Sequence, residues 1–275
     1  MPAGLSLRAP LAVRTCLALA AVTLLASACG SSSSTGSGGT PSAASASAAP
    51  ALTGEITVFA AASLNGAFTT LGKQFEAAHP GTKVTFSFGS SSTLAQQILQ
   101  AAPADVFASA SATTMKQVTD GGDAADPRTF ASNVAEIAVA PASASTITTL
   151  ADLARPGVKL ALCQPQVPCG ALAQKVLANA AVTVKPVTQG LDVKSTLAYV
   201  TSGAADAAIV YVTDVKAAGA SVKGVQIPAG QNASTAYPIA TLKGSRNLPV
   251  ATAFEDLVLS PAGQSVLSEA GFARP

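Results

Sequence analysis

The chain has 275 residues, of which 49% are hydrophobic and only 11% charged, with a formal net charge of +2. That length holds one large domain or two smaller ones, and the composition is that of an Ala-rich globular chain. A single histidine, His79, leaves no His-cluster metal site and no Ser/His/Asp triad with a spare.

Residues 1–28 read as a secretory signal peptide. Arg8 and Arg14 supply its positive start, and residues 17–25 are an apolar core too short to span a membrane. Ala26-Ser27-Ala28-Cys29 resembles a bacterial lipobox, in which Cys29 becomes the lipidated first residue. Ala26 stands where Leu is usual, and cleavage after Ala28 without lipidation is the alternative. Both Arg8 and Arg14 precede Cys29 and no acid does, so the 16 basic residues fall to 14 against 14 acidic ones. The mature chain offers no basic patch for nucleic acid. Residues 29–53, almost all Ser, Gly, Ala, Thr and Pro, read as a disordered tether for the lipid anchor.

From Gly54 strands and helices alternate. A strand over 56–60 leads through Ala61, Ala62 and Ser63 into a helix over 64–79, stopped by His79-Pro80-Gly81. A strand over 84–88, the turn Gly89-Ser90-Ser91-Ser92 and a helix over 93–101 follow. Then come a strand at 105–108 and a helix at 112–119. Later strands are expected at 135–140, 159–163, 182–186, 207–211, 225–227 and 235–241. Later helices are expected at 149–153, 171–180, 193–201, 251–259 and 261–270, with Asp214 as the N-cap of one more. The alternation implies parallel sheets covered by helices, and the units are too many for one small sheet. Two α/β lobes with a cleft between them fit, and ligands of such folds lie beyond the carboxyl ends of the strands. Cys163 and Cys169, six residues apart in a chain bound for an oxidising compartment, suit a disulfide. A zinc pair is the alternative, although no further Cys or His could complete it.

Four strand-to-helix junctions share one chemistry. They are Ala62-Ser63, Gly89-Ser90-Ser91-Ser92, Val167-Pro168-Cys169-Gly170 and Gly190-Leu191-Asp192-Val193. The first turn of a helix has unpaired N–H groups and the positive end of its dipole, so each junction can face an anion. Tyr211 closes a strand and adds a phenolic O–H. Lys194 neighbours the fourth junction but points away if Val193 faces the site. Every other donor is neutral, which suits a fully ionised oxyanion held away from water. Taken one at a time, each junction is explained by capping its own helix; four in one chain point to a shared site.

Three stretches carry a specific resemblance. They are Ile56-Thr57-Val58-Phe59-Ala60-Ala61-Ala62-Ser63-Leu64, Phe88-Gly89-Ser90-Ser91-Ser92-Thr93-Leu94-Ala95 and Pro103-Ala104-Asp105-Val106-Phe107-Ala108-Ser109-Ala110. With Val167-Pro168-Cys169-Gly170 and Ile209-Val210-Tyr211, they resemble the periplasmic molybdate-binding proteins of ABC importers, in the family's order, over residues 54–275. The resemblance implies a type II periplasmic-binding-protein fold of two lobes joined by crossing strands. Each lobe would be a mixed, mainly parallel sheet flanked by helices, with the ligand in the inter-lobe cleft. It implies lobe 1 over 54–134, lobe 2 over 135–238 and a return to lobe 1 over 239–275.

By the same resemblance, one molybdate or tungstate would be held by Ser63, Ser91, Cys169, Val193 and Tyr211. Ser63 and Ser91 would use hydroxyl and N–H, Cys169 and Val193 their N–H, and Tyr211 its hydroxyl. Cys169 replaces a residue, often Ala, that contributes only its main chain, and a disulfide to Cys163 would stiffen that loop. Val193 is the loosest match by its flanking residues. Asp105 is expected to support nearby backbone, because a carboxylate beside an oxyanion repels it. No cofactor is implied, and no metal apart from the molybdenum of the oxyanion.

The reading is therefore a monomeric, lipid-anchored solute receptor, not an enzyme, on the outer face of the cell membrane. Its partner would be a permease whose ATPase is a separate chain, since no P-loop is present here. Three rivals stand beside it. One is the same fold binding another oxyanion such as sulfate, and one is a structural surface lipoprotein. The third is a secreted hydrolase or thiol enzyme, for which His79 would be the only base, at the far end of the helix from Ser63.

Overall fold

The computed structural model describes residues 51–275. Up to residue 50, the segments expected to be signal peptide and tether, with Cys29, lie outside the described residues. Strand β1 (Thr53–Ala61) runs into a 3-10 turn, Ala62–Leu64, and then α1 (Asn65–Ala78). Leu64, Phe68, Leu71 and Phe75 recur at helical spacing and are all buried. Burying such a side chain contributes about 1.5–3 kcal/mol. Strand β2 (Gly81–Gly89), α2 (Ser91–Leu99), β3 (Val106–Ala108) and α3 (Ala112–Asp120) complete the first run. Helix α2 begins two residues before the expected position, which puts Ser91 in its first turn rather than in the preceding loop.

The long strand β4 (Arg128–Val139) follows, then β5 (Leu160–Cys163), α4 (Pro168–Asn179), β6 (Thr188–Gly190) and α5 (Val193–Thr201). The chain closes with β7 (Ala207–Tyr211), α6 (Val212–Ala218), β8 (Lys223–Gln226), β9 (Ser234–Thr241), α7 (Leu248–Leu259) and α8 (Pro261–Ala270). The strand expected over 182–186 does not form. Pro186 has no N–H for a ladder, and pairing starts one residue later, where Val187 N–H donates to Leu160 O at 2.8 Å. Asp214 is not an N-cap: it lies in the third position of α6, and from there its carboxylate accepts the Tyr211 N–H at 3.3 Å.

Strand order is β2-β1-β3-β9-β4-β7-β5-β6, with β8 also on β4. In the first lobe β1 pairs parallel with β2 and β3, and β9 is antiparallel to β3. Along β1, Ile56, Val58 and Ala60 enter the core under α1 and α7, while Phe59 enters the core under α2 and α3. That alternation is the mark of a sheet covered on both faces. The second lobe has its own core, built on Ile137, Leu160, Leu162, Val176, Leu197 and Ile209.

Strand β4 joins the two halves by changing partners. Arg128–Val134 pair with β9, and Ala135–Val139 pair with β7. Only the second half of β4, apolar apart from Glu136, reads as a strand from sequence, because Arg128, Thr129, Ser132 and Asn133 break up the first half. Among the described residues no helix is long and apolar enough to cross a membrane.

Candidate functional site

The parallel strands of both lobes point their carboxyl ends at one place. From the first lobe come the end of β1 with its 3-10 turn and the end of β2 with the start of α2. Glycine at position 89 keeps that junction free of a side chain. Ser63 and Ser91 are buried there, at 7% and 1% exposure. Their hydroxyl oxygens are held from behind. Ser91 Oγ accepts the Ala110 N–H at 3.0 Å, which leaves its own proton to point elsewhere. Ser63 Oγ lies 2.9 Å from the Tyr237 hydroxyl, and either can donate.

From the second lobe come the starts of α4 and α5 and the end of β7. Cys169 is in the first turn of α4, where the N–H groups have no carbonyl one turn back to bond. Cys169 and Cys163 form a disulfide across their six-residue spacing, so the loop between β5 and α4 is closed at its base. Gly170 is required beside it, because a Cβ there would collide with the Gln164 carbonyl oxygen. Val193 opens α5 behind an Asp192 cap. The Asp192 carboxylate accepts Ser195 N–H at 2.8 Å and the Ser195 hydroxyl accepts the Asp192 N–H at 3.1 Å.

All five residues expected from sequence, Ser63, Ser91, Cys169, Val193 and Tyr211, line one cavity of about 20 Å3, together with Ser90 and Asp192. A single water needs about 10–15 Å3 by the same measure, so the space suits one small ion and no organic ligand of ordinary size. The Tyr211 and Ser90 hydroxyls are buried there without a hydrogen-bond partner. Beside the cavity, Ser92 Oγ on the first lobe donates to the Gln166 carbonyl on the second at 2.9 Å, so the lobes are closed on each other.

Charge is kept out of the lining apart from the capping Asp192. Lys194 turns away from the cavity and places Nζ 3.0 Å from Oδ1 of the fully buried Asp214. Burial raises the Asp214 carboxyl above the usual aspartate range, and the Lys194 ammonium pulls it back down. Burial likewise pushes the Tyr211 hydroxyl well above the usual tyrosine range, helped by Tyr237 and Asp214. Tyr211 is therefore a protonated donor at any physiological pH.

Asp105 is outside the cavity and supports backbone. Its carboxylate accepts N–H groups from Thr57 at 2.7 Å and Arg246 at 3.0 Å, and the Ser245 hydroxyl at 2.6 Å. That ties β1 to the segment before α7. His79 sits at the far end of α1, its ring 4.7 Å from that of Phe75. Sequence reasoning missed Tyr237, which nothing near it in the chain connects to Ser63. It also passed over Ser90, although the run of three serines was in view.

The sequence profile of the bacterial extracellular solute-binding proteins matches residues 56–273. The molybdate-binding protein ModA of Mycobacterium tuberculosis (strain ATCC 25618 / H37Rv) is 41% identical over 221 residues, covering 80% of this chain and 85% of that protein. The molybdate-binding protein ModA of Escherichia coli (strain K12) is 34% identical over 234 residues, covering 80% of this chain and 89% of that protein. The structure of the Azotobacter vinelandii periplasmic molybdate-binding protein matches the fold with a TM-score of 0.72 at 23% identity, covering 80% of this chain and 99% of that one. The chain therefore belongs to the bacterial extracellular solute-binding proteins and, within them, to the molybdate-binding protein family.

Proposed function

We propose that this chain captures molybdate in the cavity between its lobes and delivers it to the permease of an ABC importer. Tungstate, of the same shape and charge, would enter the same site. One observation carries the reading: neutral donors from both lobes converge on a cavity the size of one small ion. Ser63, Ser91 and Tyr211 would bind through their hydroxyls, and Ser63, Ser91, Cys169 and Val193 through their N–H groups. In a site shielded from water such partial charges act at low effective permittivity and hold a dianion without a counter-charge. A protonated oxyanion would set an O–H against another donor, so the fully ionised form is favoured.

The division of the chain into 54–134 with 239–275 against 135–238 puts the crossing segments in β4 and β9. Opening there would part Ser63 and Ser91 from Cys169, Val193 and Tyr211. The protein would work as a monomer tethered by a lipid on Cys29 to the outer face of the membrane, with the ATPase on another chain. A role as a thiol enzyme is disfavoured because the Cys169 sulfur is bonded to Cys163. Ser63 and Ser91 have a tyrosine and a backbone N–H beside them, not a base.

Calorimetry with molybdate, tungstate and sulfate tests the reading. Molybdate and tungstate should bind tightly and sulfate far less well; sulfate binding as tightly as molybdate would sink it. Ser63→Ala should weaken molybdate binding by about 1–3 kcal/mol, the cost of leaving a charged acceptor short of a donor.

A further inference from the structure

We infer that Ser90 donates its side-chain hydroxyl to the bound oxyanion and so completes the donor set beyond the five residues already named. The inference rests on the reading of the cavity as a molybdate site. Ser90 is the N-cap of α2, and its exposure is 7%. Serine at that position ordinarily accepts an N–H from the first turn of its helix. Three other N-caps in this chain do so: Ser111 Oγ accepts Thr114 N–H, Ser260 Oγ accepts Gly263 N–H, and Asp192 Oδ1 accepts Ser195 N–H. Asn247, before α7, does not cap but has another partner, since its side-chain amide donates to the Thr53 carbonyl. Ser90 makes no such bond. Its Oγ is buried without any hydrogen-bond partner, and the residue lines the cavity.

A buried hydroxyl left unpaired is costly, and native proteins seldom keep one without a use. The other unpaired hydroxyl in the lining, that of Tyr211, is the phenol assigned to the ligand. Ser90 stands in the same condition on the opposite lobe. Its neighbours divide the remaining tasks. Ser91 Oγ is braced by the Ala110 N–H, and Ser92 Oγ reaches across to the Gln166 carbonyl. By not capping α2, Ser90 also leaves the first-turn N–H groups of that helix unpaired, at the positive end of its dipole. An anion in the cavity would satisfy the hydroxyl and face those N–H groups together.

The test is calorimetry with molybdate on the wild-type protein and on Ser90→Ala, with the thermal midpoint of each measured without ligand. Ser90→Ala should bind molybdate about 10- to 100-fold more weakly, the range for losing a hydrogen bond to a charged group. Its ligand-free midpoint should be unchanged or higher, because the substitution removes a buried hydroxyl that bonds to nothing. Affinity within twofold of wild type would overturn the inference. So would a ligand-free midpoint several degrees lower, which would make the hydroxyl a structural cap. If Ser90→Ala does not fold, Ser90→Gly, well tolerated at an N-cap, carries the same comparison. Wild-type protein that binds neither molybdate nor tungstate would overturn the molybdate reading itself, and this inference with it.

Discussion

Ser63 Oγ and the Tyr237 hydroxyl lie 2.9 Å apart in a buried contact between residues 174 positions apart in the chain. Tyr237 is on β9, one of the two crossing strands, and is fully buried. Its ring packs edge-on against Phe130, Phe272 and Tyr211. An anion in the cavity would order the pair in one direction. Tyr237 would donate to Ser63, and the Ser63 proton would turn to the ligand. Tyr237 would thus act on the ligand through Ser63.

Tyr237→Phe keeps the ring and removes the hydroxyl. Molybdate affinity should fall about three- to tenfold, the net worth of one hydrogen bond. In a Ser63→Ala background the same change should cost far less, because its route to the ligand is gone. Calorimetry on the wild type, both single variants and the double variant measures that coupling, and purely additive losses would exclude it.

The Ser92–Gln166 hydrogen bond joins the lobes outside the donor set and should set how long the closed form lasts. Ser92→Ala should raise the molybdate dissociation rate about threefold or more and leave the association rate nearly unchanged. Stopped-flow measurement of both rates checks this. A slowed association with unchanged dissociation would show that the contact does not act in the closed form.

Replacing both Cys163 and Cys169 by Ala should cost about 2 kcal/mol of stability, from the chain entropy of a short closed loop. The midpoint should fall by about 4–8 °C in a domain of this size, as differential scanning calorimetry would record. The N–H of residue 169 survives the substitution, so the affinity loss should stay below about tenfold. A loss of a hundredfold or more would mean that the loop between β5 and α4 cannot hold its donor without the covalent clasp.

Asp152 supplies one pH-dependent contribution to stability. N–H and hydroxyl donors from Thr148 and Thr149 hold its carboxyl down, from 3.8 to about 2. A depressed carboxyl contributes stability that is present above its unfolded pKa and lost as pH falls through the folded one. Asp152→Ala should therefore lower the midpoint at pH 7. Its gap to the wild type should narrow as pH drops from about 4 towards 2. Thermal scans across that range test the sign, and a gap that widens on acidification would refute it.

Much of the site is legible along the chain because its parts are local. Ser63, Ser91, Cys169 and Val193 each sit where a strand gives way to a helix, and apolar periodicity with Gly, Pro and Ser punctuation marks those places. Asp192 and its helix are legible for the same reason, since a cap and its partner are three residues apart. Where sequence reasoning erred, a nearby rule competed. Pro186 delayed β6, and Asp214 does its capping from inside α6 rather than in front of it. The first half of β4 hid behind its polar residues.

The sequence by itself determined that this is an alternating α/β chain with neutral donors at its strand ends, because those properties follow from residue types at short spacings. Only the tertiary structure decided which donors share a cavity, because convergence depends on register between strands far apart in sequence. The partner change of β4 at Val134 and Ala135 brings the two lobes onto one site, and the pairing of β9 with β3, itself beside β1, carries Tyr237 to Ser63. The same assembly leaves Ser90 buried and unpaired, a state visible only once its surroundings are in place. A serine's type says that it can donate; only packing says whether anything nearby has already accepted.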